Sequence, residues 1–236
     1  MTLKRFLPAI MLLLVLAGAV PGAAREVAPG QAIDAATLSQ PGDVCKNGHA
    51  NYYWTLEDRF TGNESFGVFC GPAGCAGCEG GWKPISVTMY LYWEEANSCA
   101  LTVQAEIREA DSADATRSSQ GRLLAISETK TVGPFRPAGL WAVTVAMPLD
   151  SPTIDGPCFA SIRFLDTCDE LPAVVAAPGE CEAMISWNDR GEGWVDLRDL
   201  DLPGNLSAYA TFECQLPEQG ESVGWATIKS MYGTDM

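Results

Sequence analysis

One histidine, His49, serves the whole 236-residue chain. A Ser-His-Asp or Cys-His mechanism would have to run through it. It stands beside Asn47-Gly48, where a turn residue is expected, and no Gly-x-Ser-x-Gly elbow occurs. Basic residues are scarce: 15 Lys and Arg stand against 30 Asp and Glu, for a net charge of −15. No Lys/Arg cluster follows the first few residues. That excludes nucleic acid and anionic membrane as main partners, because phosphate binding needs grouped positive charge. Acidity suits a soluble extracellular protein, or one that collects cations. Long helical periodicity and internal repeats are also missing from the body of the chain, as is an apolar run of the roughly 20 residues that span a membrane.

The N-terminus has its own logic. Lys4 and Arg5 precede an apolar stretch from Leu7 to Val20, and Gly22-Ala23-Ala24 offers small residues for cleavage. Residues 1–24 therefore read as a secretory signal peptide, whose removal leaves no transmembrane segment. The expected location is secreted, extracellular or periplasmic. No cysteine adjoins the cleavage region, so no lipid anchor is expected.

Nine cysteines follow the signal. In an exported protein they read as disulfides. The candidates are Cys45, Cys70, Cys75, Cys78, Cys99, Cys158, Cys168 and Cys181. Suggested pairings are Cys45–Cys70, Cys99–Cys158 and Cys168–Cys181, with Cys214 left over. The number is odd, so at least one is free or pairs between chains. Cys75-Ala-Gly-Cys78 with Cys45, Cys70 and His49 could form a zinc knuckle. Export, uneven spacing and the lack of a second C-x-x-C favour disulfides around a Gly-rich loop.

Alternation dominates what remains. From Trp82 to Trp93, Ile85, Val87, Met89, Leu91 and Trp93 share one parity, and Ser86, Thr88, Tyr90 and Tyr92 the other. That is a strand with one buried face. Cys99 to Ile107 alternates in the same way, and the polar Glu94–Ser98 link between the two predicts an antiparallel hairpin. Tyr52–Leu56 and Ser65–Cys70 suggest another. Further strands are expected at Leu123–Val132, Trp141–Met147, Cys158–Phe164, Ala183–Trp187 and Leu206–Cys214. Residues 166–182 are expected to be a long loop excursion.

These runs make an all-β, antiparallel β-sandwich, jelly-roll or Ig-like, of about eight to nine strands. The domain plan is a signal peptide over 1–24, a flexible arm over 25–43, the sandwich over 44–216 and a tail over 217–236. Trp225, Ile228 and Tyr232 in the tail suggest a short docking helix, with a last strand over Gly224–Met231 as the alternative.

Exposed aromatic rings stack on sugars or anchor proteins. Trp187 and Trp194, which flank an acidic loop, and Tyr90 and Tyr92, on the polar parity of the long strand, are the candidates. In that loop Asp189, Asp196, Asp199 and Asp201 offer hard oxygen ligands for a structural Ca²⁺; the alternative is a solvated acidic loop. No other cofactor is implied. Paired carboxylates hydrolyse glycans without histidine, and Glu57, Asp58, Glu94, Glu95 and Glu106 are candidates. Solvated charge is the ordinary explanation for them, and no catalytic residue is assigned.

Several short motifs carry a resemblance. They are Pro84-Ile85-Ser86-Val87, Gly156-Pro157-Cys158-Phe159, Gly193-Trp194-Val195-Asp196-Leu197, Gly204-Asn205-Leu206, and Trp225 to Tyr232. In this order, after a signal peptide, they resemble a group of uncharacterised bacterial secreted β-sandwich proteins of jelly-roll-like build. The likeness covers most of residues 80–232. It implies fold and export, with no catalytic residues to transfer. The reading is therefore a secreted non-catalytic module that binds a glycan or an extracellular protein surface. The alternatives are a structural envelope-associated protein without a small ligand, or a carboxylate glycan hydrolase.

Overall fold

The computed structural model describes residues 25–26, 43–49, 54–56, 60, 62–111, 120–168, 170–176, 181–182, 184–200 and 204–215. The signal peptide, most of the arm, and the tail with its expected helix lie outside the described residues, as do Glu57, Asp58 and Asp201.

The strands are β1 (Arg25–Glu26), β2 (Val44–His49), β3 (Trp54–Leu56), β4 (Ser65–Cys70) and β5 (Trp82–Trp93). Then come β6 (Leu101–Ala110), β7 (Gln120–Ile126), β8 (Lys130–Val132), β9 (Gly139–Ala146) and β10 (Cys158–Phe164). The last four are β11 (Ala173–Ala176), β12 (Ser186–Asp189), β13 (Trp194–Asp196) and β14 (Ala208–Cys214). They form two seven-stranded antiparallel sheets packed as a sandwich. The first holds β1, β2, β3, β5, β9, β11 and β14, and the second holds β4, β6, β7, β8, β10, β12 and β13. The all-β antiparallel class expected from alternation is the one observed.

Strand β5 is the spine of the first sheet. One edge carries β9 along Ser86–Trp93. The other carries β14 along Trp82–Met89, and β11 beyond it at Leu91 and Tyr92. Val87, Met89, Leu91 and Trp93 point inward and are buried, and so do Leu101, Val103, Ala105 and Ile107 on β6. Burying each of the larger of these side chains contributes about 1.5–3 kcal/mol.

The described residues hold fourteen strands rather than eight or nine, and the run expected as one strand at Leu123–Val132 is two, β7 and β8, parted by Ser127, Glu128 and Thr129. Four further local expectations change. The β5–β6 hairpin does not form, because β5 lies in the first sheet and β6 in the second. Both runs are apolar on one face, and both faces bury best by meeting across the core rather than side by side. The suggested β3–β4 hairpin is a crossing between sheets for the same reason. The 166–182 excursion contains β11, seated between β3 and β5. Val174, Val175 and Ala176 are buried and the strand has no polar residue to alternate with, so the run carries no period-2 signal. Ile85 is 38% exposed rather than core. The ladder pairs Phe212 with Pro84 but Thr211 with Ser86, so Ile85 is the extra residue of a bulge and loses its inward phase. Proline at 84 has no N–H to give the ladder, and bulges are where strands accommodate it.

Three disulfides are present: Cys45–Cys75, Cys78–Cys214 and Cys99–Cys168. None of the three suggested pairings forms. Cys214 is bonded, and Cys70, Cys158 and Cys181 are free thiols. The two cysteines of the C-x-x-C bridge to different strands, which rules out a shared zinc. They bolt the 71–81 loop against β2 and β14, so a segment with no regular strand becomes a fixed cap.

Cys78–Cys214 closes a 136-residue separation. Replacing both by serine is expected to lower stability by about 3–5 kcal/mol, read as a lower urea midpoint with an unchanged native far-ultraviolet spectrum. A loss under about 1 kcal/mol would show that the cap is held by packing alone.

Candidate functional site

The outer face of β4 and β10 in the second sheet is covered. Phe69, Phe159, Ile185 and Trp187 form a satellite core there, with Met184, Trp194 and Ala110 packed against it. An open concavity lies elsewhere, where three connections converge: the residues after β5, the β8–β9 loop, and the segment after β10. It is a cleft of about 470 Å³ lined by Asn97, Ser98, Arg136, Thr167, Glu170 and the Cys99–Cys168 disulfide.

The cleft is held from below. Trp93, at the end of β5, stacks on Phe135 at 3.7 Å, and Trp141 packs edge-on to Phe135. The Asn97 N–H donates to the Phe135 carbonyl at 3.1 Å, and Arg136 Nε donates to the Asn97 carbonyl at 3.4 Å. Gly133 lies so close to the Cys99 carbonyl, at φ +116°, that a side chain there would clash with backbone. Only glycine lets the β8–β9 loop settle against the disulfide.

Asn97 is the informative residue. It is 5% exposed. Its Oδ1 accepts from the Cys99 N–H at 3.1 Å. Its Nδ2 is buried without a hydrogen-bond partner. Buried amide donors are nearly always satisfied, so the orphaned Nδ2 beside the cleft is a donor that a turn of the Asn97 side chain would offer to an incoming acceptor. Arg136 adds donors, Ser98 and Thr167 add hydroxyls, and Glu170 adds acceptors. Alternating donors and acceptors on a mostly polar wall match the vicinal hydroxyls of a sugar better than an apolar ligand. Sequence reasoning placed Asn97 and Ser98 in a polar connection and missed the cleft. The β6–β10 ladder, the Leu165 N–H bond to the Thr102 carbonyl, the Thr102 N–H bond to Asp166 Oδ1 and the Cys99–Cys168 bridge together bring Thr167 and Glu170 to them.

The aromatic candidates separate. Trp187, expected to be exposed, is 6% exposed. It lies edge-on to Phe159, and its Nε1 donates to the Met184 carbonyl. The physical reason is that the outer face of β4 and β10 also carries large apolar residues, which the β12 ring covers. Trp194 is half-buried at the rim of the same cluster. Tyr90 and Tyr92 are half-buried on the outer face of the first sheet. Tyr90 lies 6.4 Å from Tyr209, and Lys46 Nζ sits 5.0 Å from the Tyr209 ring. This is a tyrosine face distinct from the cleft.

The acidic candidates have other work. Asp189 Oδ1 accepts from the Gly191 and Gly193 N–H groups. Asp196 accepts from the Met184 and Arg198 N–H groups, at 2.6 and 3.0 Å. Asp199 is exposed on the short 3-10 turn that follows. These carboxylates build turns, and among the described residues no three His, Cys, Asp or Glu side chains gather around a common metal position. Glu106 lies against Arg108 at 2.9 Å, and Glu94 and Glu95 are exposed beyond β5. Sequence reasoning missed Glu64, which is fully buried. Its carboxylate accepts from Asn188 Nδ2 at 2.9 Å and pairs with Arg190 at 3.5 Å, tying β4 to β12.

No protein-family model and no curated protein matches the chain. Among solved structures, the chain is similar to the structure of the cysteine protease and lectin-like domains of Cwp84, a surface layer associated protein of Clostridium difficile. The TM-score is 0.46 at 11% identity, covering 75% of this chain. The chain spans 37% of that structure's length.

His49 is not a turn residue. It is the last residue of β2, paired with Ala208 of β14. Burial lowers its imidazole below the ordinary 6.5, and the nearby Glu182 carboxylate offsets part of that. The folded protein thus holds His49 neutral where the unfolded chain takes up a proton. The corresponding stability is complete above about 6.5 and is lost as pH falls through the lowered folded value. Urea midpoints taken from about pH 7.5 down to about pH 5 should fall more steeply for the native protein than for His49→Gln. Identical slopes would remove His49 from the account.

Proposed function

We propose that the protein is an extracellular, non-catalytic β-sandwich module that binds a glycan in the Asn97–Arg136–Glu170 cleft. The observation that carries this reading is the buried Asn97 Nδ2, a donor left unpaired beside a cleft whose other groups both donate and accept. An oxidising location is supported by three disulfides in one chain. A binding rather than hydrolytic role is supported by the cleft wall, where Glu170 is the one carboxylate among the described lining residues. Glycoside hydrolysis ordinarily needs two facing carboxyls.

A glycan array probed with the secreted protein, followed by calorimetry on the best ligand, tests it. Arg136→Ala and Asn97→Asp are each expected to weaken binding by roughly tenfold or more. Arg136 is exposed, so its truncation should leave thermal stability within about 0.5 kcal/mol of the native protein. A paired Tyr90→Phe and Tyr92→Phe variant should bind normally. An array silent with and without calcium, or a ligand whose affinity follows the tyrosines and ignores Arg136 and Asn97, would overturn the assignment to the cleft.

A further inference from the structure

Two of the three free thiols are neighbours. Cys70 on β4 and Cys158 on β10 are direct cross-strand partners. Both are 0% exposed and belong to the main core. The Cys70 thiol also lies 3.5 Å from the Asn47 carbonyl, to which it donates. The ladder's phase defines the pair more closely. The Phe164 N–H donates to the Glu64 carbonyl, and the same register runs down to Cys158 and Cys70. Hydrogen-bonded and non-hydrogen-bonded pairs alternate, so Cys70/Cys158 falls on a hydrogen-bonded position, where facing Cα atoms sit about 5.5 Å apart. Disulfides span about 4.4–6.8 Å between Cα atoms. Facing Cβ atoms at such a position stand about 5 Å apart, against about 3.5–4.5 Å in a disulfide, so bridging these two residues takes a rotation of side chains and a local approach of β4 and β10 by about 1 Å.

We propose that Cys70 and Cys158 close a fourth, cross-strand disulfide in the oxidised protein, leaving Cys181 as the sole thiol. The oxidant is a disulfide, either a dithiol oxidoreductase in its oxidised form or glutathione disulfide. One cysteine thiolate attacks it to give a mixed disulfide and release one thiol. The second thiolate then displaces the other sulfur. Two S–H bonds are lost, one S–S bond forms, and the oxidant leaves as two thiols carrying the two electrons and two protons. Timing follows from burial. In the closed sandwich the hydrogen bond to Cys70, together with burial, pushes the Cys158 thiol well above its ordinary value. Exchange needs a thiolate, so the bridge forms before β4 and β10 are covered and is afterwards shielded from reductant.

The test is thiol mapping on chain refolded from the fully reduced state in a glutathione redox buffer. The protein is denatured in acid, alkylated, digested without reductant and analysed by mass spectrometry. The expected result is alkylation at Cys181 alone and a linked peptide pair containing Cys70 and Cys158. Alkylation of both Cys70 and Cys158, or a link from either to another cysteine, would overturn the proposal. A control chain refolded throughout in reductant calibrates the labelling of both thiols and requires no substitution.

Discussion

The backbone ladder of β5 is the constraint on which the rest depends. The strand is paired on both edges, by β9 along Ser86–Trp93 and by β14 along Trp82–Met89. Its inner face supplies Val87, Met89, Leu91 and Trp93 to the core. Two strands, β14 and β11, share one edge end to end, so β5 is what joins the two halves of the first sheet. A shift of one residue would turn its apolar row toward solvent. The Pro84 bulge confines that risk to the first turn of the ladder, and the misphased Ile85 is the visible cost.

From this spine the candidate site follows mechanically. The last inward residue of β5, Trp93, seats Phe135, and Phe135 and Arg136 place the β8–β9 loop over Asn97. The Cys99–Cys168 bridge then ties in the segment after β10. The cleft is built from loops but rests on the end of β5 and the Trp93–Phe135–Trp141 stack, the usual arrangement of binding loops on a packed scaffold. Elsewhere the other two disulfides fasten the 71–81 cap, and the satellite core covers the outer face of β4 and β10.

Alternation at 87–93 and 101–107 was enough to identify strands and their buried faces, because period 2 is a local property of an extended chain, while Ile85 fell in a bulge that alternation does not show. It was not enough to place them in sheets. An apolar face looks the same whether its partner is beside it or across the core, so two crossings read as hairpins. Ala173–Ala176 was missed because a short strand buried on both faces has nothing to alternate with. Trp187 was misjudged because an acidic, Gly-rich neighbourhood reads as surface, while Phe69 and Phe159 wait for that ring on distant strands. Among the site residues, Asn97 and Ser98 stood in a segment recognised as polar. Arg136, Thr167 and Glu170 carried no local mark.

By itself the sequence determined the all-β class, the inward faces of the long strands, and the acidic charge. Each of these is written in neighbouring residues and in composition. Tertiary structure alone decided which strands share a sheet, which cysteines meet, where Asn97 is left with an unpaired donor, and that Cys70 faces Cys158. These depend on partners tens of residues apart, and such partners are chosen by the burial of whole faces, which no short stretch of chain encodes.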